Sequence, residues 1–160
     1  MPVYTVPYNG TLTNAGGDSD WLEILPADDK VVMLRGIVVG QISEVGDAAS
    51  EGVRISIIRM TATVTSGSGG SAVTPVGLDD LSPAAGFAAE CNNTTVATTS
   101  GSTTTIMELG WVIQNAPLEF WFPEDKYAPK ARQTQALLVR CQTTLADDAT
   151  GQLTFFVEEY

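Results

Sequence analysis

Apolar residues recur in this chain at every second position. Val53, Ile55 and Ile57 alternate with Arg54 and Ser56, and Met107, Leu109, Trp111 and Ile113 alternate with Glu108, Gly110 and Val112. Leu118, Phe120 and Phe122 alternate with Glu119 and Trp121, and Leu137, Val139 and Cys141 with Leu138, Arg140 and Gln142. Leu153, Phe155 and Val157 do the same against Thr154, Phe156 and Glu158. Period two marks a half-buried strand, because successive side chains point to opposite faces of a sheet. Val31 to Ile42 is apolar at both parities, the pattern of a strand covered on both sides. Val3 to Tyr8 and Trp21 to Leu25 are shorter candidates.

Turn chemistry separates these runs. Asn14-Ala15-Gly16-Gly17-Asp18, Pro26-Ala27-Asp28-Asp29, Gly46-Asp47-Ala48, Asn115-Ala116-Pro117, Pro123-Glu124-Asp125 and Ala146-Asp147-Asp148 all fall between strand candidates. Gly supplies positive φ, Pro fixes φ near −65°, and Asn or Asp bonds its own backbone. About eight strands at this spacing predict an all-β fold, an antiparallel jelly-roll-like β-sandwich, as a single domain over residues 1–160.

Residues 61–105 break the rhythm and form a Thr/Ser/Gly-rich insertion. Ser66-Gly67-Ser68-Gly69-Gly70-Ser71 has linker composition. Ser82-Pro83 resembles a helix start, with Ser as N-cap and Pro at the first helical position, and predicts a short helix through Glu90. The threonine-rich Asn92 to Thr105 suits an exposed strand or arm. Two readings stand for the insertion: a partner-contacting loop, or a long connection packed on its own domain.

Charge narrows the partners. The chain has 160 residues, 44% apolar and 17% charged, with a net charge of −11 and no histidine. Such a surface repels phosphates, so neither nucleic acid nor an anionic membrane is expected as a partner. The absence of histidine removes Ser-His and Cys-His pairs and imidazole zinc sites, and no enzyme activity is expected. The opening MPVYTVPYNGTLT lacks a basic start and an apolar run of signal length. The protein is therefore expected to act where it is made, or to leave by lysis or assembly. Cys91 and Cys141 share no motif and read first as small buried hydrophobes, with a disulfide as the alternative.

Few constellations suggest chemistry. The acidic pairs Asp28-Asp29, Asp79-Asp80, Glu124-Asp125, Asp147-Asp148 and Glu158-Glu159 read as solvated turns; calcium ligation or an acid–base pair acting on a sugar are the alternatives. No metal or cofactor is expected. Trp21, Trp111, Trp121 and Tyr127 form a candidate sugar-stacking set, although Trp111 falls on a core parity. Trp121 lies opposite Phe120 and Phe122, which makes it a subunit interface, the core of a second face, or a ligand platform. Ser68-Gly69-Gly70 is a weak candidate phosphate nest. Asn92-Asn93-Thr94-Thr95 contains two overlapping glycosylation sequons.

Several stretches together resemble short virion proteins of tailed bacteriophages. They are MPVYTVPYNGTLTNAGGDSD, PADDKVVMLRGIVVGQISEVGDAASEGVRISIIR, VTSGSGGSAVTP, AAGFAAECNNTTVATTSG, FWFPED and QTTLADDATGQL. The resemblance implies a capsid decoration or cement protein: made in the host cytoplasm, located on the virion's capsid surface, bound to the major capsid protein, commonly a homotrimer. It supplies no functional residues. Other virion parts (tail, neck or fibre-associated domains) and a carbohydrate-binding module are the alternatives. A brace of this kind docks through an extended segment that adds a strand to its partner. Val3, Tyr4 and Val6 near the N-terminus and Thr94, Thr95 and Val96 in the insertion are the candidate interface residues, with Trp121 and Tyr127 as an outward aromatic pair.

Overall fold

The computed structural model describes residues 1–14, 16–44 and 50–160. The long strands are β1 (Val3–Leu12), β2 (Ser19–Leu25), β3 (Val31–Gln41), β4 (Gly52–Met60), β10 (Thr103–Val112), β11 (Leu118–Trp121), β12 (Lys130–Arg132), β13 (Ala136–Cys141) and β14 (Ala149–Glu159). Between β4 and β10 lie short strands β5 (Val64–Thr65), β6 (Ser71–Ala72), β7 (Val76–Gly77), β8 (Ala88–Cys91) and β9 (Thr98–Thr99). No helix forms among the described residues.

One sheet runs β11-β3-β14-β1-β7, with β12 continuing β11 along the same edge of β3. The other runs β10-β4-β13-β2-β8-β6, and β5 and β9 make a separate ribbon. All pairings are antiparallel, and they nest: β1 with β14, β2 with β13, β3 with β11 and β12, β4 with β10. First with last, working inwards, these pairings build an antiparallel β-sandwich of two sheets.

The alternation seen in the sequence fills the space between the sheets. Val6, Ile37, Leu153 and Phe155 from one sheet meet Ile55, Ile57, Leu137 and Val139 from the other in a single core. Strand β3 departs from simple alternation. Arg35 is the extra residue of a bulge, where β14 steps from Phe156↔Gly36 to Val157↔Leu34. Val32, Met33 and Leu34 are all buried. Farther along, the outward positions are Gly36, Val38 and Gly40. Trp121 and Pro117 lean over the two glycines in place of a second layer of strands.

Three expectations are corrected or bounded. The stretch from Ser82 to Glu90 is not helical. Leu81 and Ser82 close a turn on Asp79, at 3.0 Å to its side chain and 3.0 Å to its carbonyl. The Tyr4 hydroxyl donates to the Pro83 carbonyl (3.0 Å), and the Gly86 N–H donates to the Glu159 carboxylate (3.1 Å). A helix would need that Gly86 N–H for Ser82, and a helix this short has too little intrinsic stability to compete. Ala88 to Cys91 instead pairs as β8 between β2 and β6. Tyr4 and Val6, candidates for an external interface, are core residues at 1% and 0% exposure. They face inwards because β1 is taken along its length by β14, with β7 at Tyr4 and Thr5 on its other side. The Gly46-Asp47-Ala48 turn and Ala15 lie outside the described residues.

Candidate functional site

The sandwich has two outer faces, and the chain treats them differently. Over β13-β2-β8 the insertion folds back as a roof. Ile58, Met60, Ala136 and Leu138 point outwards from their sheet into a second small core, which Ala97 completes and Leu25 and Val64 flank. Beside it lies a buried ion pair. Arg140 Nε donates to Asp20 Oδ1 at 2.6 Å and its Nη2 to Oδ2 at 3.1 Å, while Nη2 also reaches the Ala97 carbonyl at 3.2 Å. The Ala97 N–H donates to Asp20 Oδ2 at 2.8 Å, so both charges are tied to the roof.

The sites suggested by the sequence in this region are consumed internally. The Gly67 N–H, next to the candidate phosphate nest, donates to Glu23 at 3.0 Å. Asn93 Nδ2 bridges Glu23 (2.9 Å) and Glu90 (3.0 Å), which stand directly opposite each other on β2 and β8. Those are two close carboxylates, but Glu23 is buried under the roof and has no access to a substrate. Both sequon asparagines are buried as well, and Asn92 Nδ2 donates hydrogen bonds to the Tyr8 hydroxyl oxygen (3.2 Å) and the Thr11 carbonyl (2.7 Å). Thr94 and Val96 are half-buried and Thr95 is exposed. The Thr95 backbone already exchanges both bonds with Ser68 (2.9 and 3.0 Å), so that edge has no strand to offer a partner.

No segment among the described residues roofs the outer face of β11-β3-β14-β1-β7. Cross-strand register places Trp121, Gly36, Phe156, Thr5 and Val76 in one row across it. The Trp121 ring lies over Gly36, where a Cβ would collide with its six-membered ring, and packs on Phe156 with centroids 4.6 Å apart. Trp121 is 49% exposed and, as its parity predicted, opposite Phe120 and Phe122, whose rings meet edge-to-face at 5.0 Å. Arg35 pairs with both Glu158 and Asp125 and thereby fixes the loop after β11. The Arg35 hydrogen bond holds the Asp125 carboxyl below its ordinary pKa. Tyr127 is exposed on that loop, with the Lys126 ammonium 4.7 Å from its ring centroid. The structure gives Trp121 and Tyr127 separate partners and does not build them into one stack.

At the opposite margin of this sheet, Met1, Val76, Leu78 and Leu81 are all exposed, Leu81 at 87%. Leu78 N–H bonds the Val3 carbonyl (3.0 Å), and half-buried Val3 lines a trough of about 540 Å³ together with Met1, Leu78 and Leu81. Exposed Asp79 and Asp80 flank it. Val76, Leu78 and Leu81 were missed by sequence reasoning because they fall in the aperiodic insertion. Their only signal was large apolar residues in an otherwise Ser/Thr/Gly/Asp-rich stretch.

Cys91 and Cys141 are free, buried thiols, pushed up by burial to about 12 and about 11. Among the described residues no group of three or more metal-ligating side chains gathers, and no helix is long and apolar enough to cross a membrane. These features define an antiparallel β-sandwich with one face roofed by its own chain and the other open. No protein-family model, no curated protein and no solved structure matches the chain.

Proposed function

We propose that this chain is a non-catalytic structural protein of a tailed-bacteriophage virion. It binds the outer capsid surface as a decoration or cement protein, stabilises the head, and has the major capsid protein and two further copies of itself as partners. The observation that carries this reading is the apolar margin around Met1, Val76, Leu78 and Leu81 on a chain of net charge −11. Contiguous exposed apolar side chains with a polar rim mark protein interfaces. A brace also requires a body that does not deform, which the continuous core and the roofed face supply.

The test mixes purified protein with heads lacking it and sediments them. The wild-type chain is expected to pellet with heads and to raise the temperature at which they open. Leu78→Asp with Leu81→Asp changes only exposed side chains, so it is expected to remain folded and stay in the supernatant. Wild-type protein left in the supernatant would overturn the reading, and a double variant that still pellets would overturn the assigned surface. Sedimentation with tails would move the protein to another part of the virion. Light scattering is expected to give three times the chain mass of 16.9 kDa.

A further inference from the structure

The row that starts at Trp121 carries a second, independent inference. Of the three tryptophans, Trp21 and Trp111 are buried at 1% and 6% exposure, and only Trp121 stands open. Its position is fixed on two sides. Gly36 leaves the space in which the six-membered ring sits, and Phe156 packs against it. A half-exposed indole anchored in this way is a preformed platform, because little side-chain freedom remains to be lost when a ligand stacks on it.

Charge and hydrogen-bonding chemistry decide the occupant. On the same face of the sheet are the uncharged, half-buried Thr5, Val38 and Thr154, with Val38 and Thr154 in register beside Glu119, while the one nearby cation, Arg35, is taken by Asp125 and Glu158. Two residues back along β11, on the same side of the strand, is the exposed carboxylate of Glu119, which has no ion-pair partner among the described residues. A nucleobase would stack on the indole, but its phosphates would meet a chain of net charge −11. A neutral sugar has the opposite fit. One face of a pyranose is lined with C–H groups and covers an aromatic ring, while its hydroxyls donate to carboxylate and threonine oxygens. We infer that Trp121, seated on Gly36 and flanked by Glu119 and Thr154, is a stacking site for a neutral glycan. This does not rest on the virion reading. The apolar margin at Val76 is four strand spacings away, about 19 Å, so both surfaces are available at once.

Because Trp121 is the exposed tryptophan, its emission reports the site directly. The probes are soluble neutral polysaccharides (α- and β-glucans, mannan, xylan) and chitin oligosaccharides, titrated to millimolar concentration and followed by fluorescence and calorimetry. At least one is expected to bind and to shift the emission to shorter wavelength. Trp121→Ala is expected to weaken that binding by about tenfold or more and to abolish the shift. Trp121→Phe, which keeps an aromatic face, is expected to retain part of the affinity. The melting temperature of each variant separates loss of the site from loss of fold. Failure of every glycan to bind, or unchanged binding by Trp121→Ala, overturns the inference. Binding of a proline-rich peptide at Trp121 with no glycan binding also overturns it, in favour of a peptide groove. Head sedimentation of Trp121→Ala, expected to match wild type, keeps this result separate from the virion test.

Discussion

The two outer faces of this sandwich are built from similar strands and end in opposite states. Over β4-β13-β2, outward positions hold Ile58, Leu138, Asp20 and Arg140, and the insertion covers all four. Over β3-β14-β1 they hold Gly36, Val38, Phe156 and Thr5, and among the described residues the Trp121 ring and its neighbours are what lies above them. The difference separates two uses of apolar residues outside the main core. On the roofed face they hold the chain to itself. On the open face they are left for something else to meet. Buried charge follows the same division. The Asp20–Arg140 pair is sealed inside, whereas Arg35–Asp125 reaches the surface.

The comparison is broken hardest by Arg140→Ala. It leaves Asp20 buried without a counter-charge and is expected to cost about 3–5 kcal/mol, read as a drop in denaturation midpoint. Leu138→Ala empties the second core and is expected to cost about 2–4 kcal/mol. Amide exchange should quicken across residues 61–105 in that variant while β14 stays protected. A uniform loss of protection would mean that the roof is not a separable layer.

The buried thiols give a pH test of the protein's covered interior. Their folded pKa values, about 12 for Cys91 and about 11 for Cys141, lie above the ordinary thiol value. The neutral form is thus favoured by folding. That stability is fully present below the unfolded pKa of about 8.5 and is lost as pH rises towards the folded values. The expected slope is up to about 1.4 kcal/mol per pH unit for each thiol, and Cys91→Ala should remove its share. Trp121→Ala, on the open face, is expected to cost no more than about 1 kcal/mol, and a larger loss would make that ring structural. The smallest effect belongs to Asp125. Its carboxyl is held below the ordinary range by Arg35, so its contribution is present at neutral pH and lost as pH falls through the lowered value. Asp125→Asn should flatten that acid limb, measured as midpoint against pH.

Much of the sandwich was legible in the chain because period two is a local property. The inward sets Val53/Ile55/Ile57 and Leu153/Phe155/Val157 are all core. The outward position of Trp121 followed from the same parity. What escaped was set by distant groups. The Ser82-Pro83 signal was outvoted by Tyr4 and Glu159, some seventy residues or more away. The N-terminal residues Tyr4 and Val6 looked like an arm because nothing local says that β14 and β7 will flank them. The roof was ambiguous for the same reason. Thr and Gly are as compatible with a covering layer as with a free loop, and the deciding partners, Asp20, Glu23 and Arg140, lie in other strands.

The nesting of β1 with β14 has a consequence for how the molecule comes into being. β14 stands between β3 and β1, so the sheet with the open face lacks its central strand until residues 149–159 have emerged from the ribosome. Until then β1 and β3 wait with exposed edges and an uncovered apolar side. Pairings this distant in sequence close slowly, in about milliseconds to seconds. Folding of this sheet therefore waits for its last-made strand, and the chain still lacking β14, more than the folded protein, is the form most exposed to aggregation.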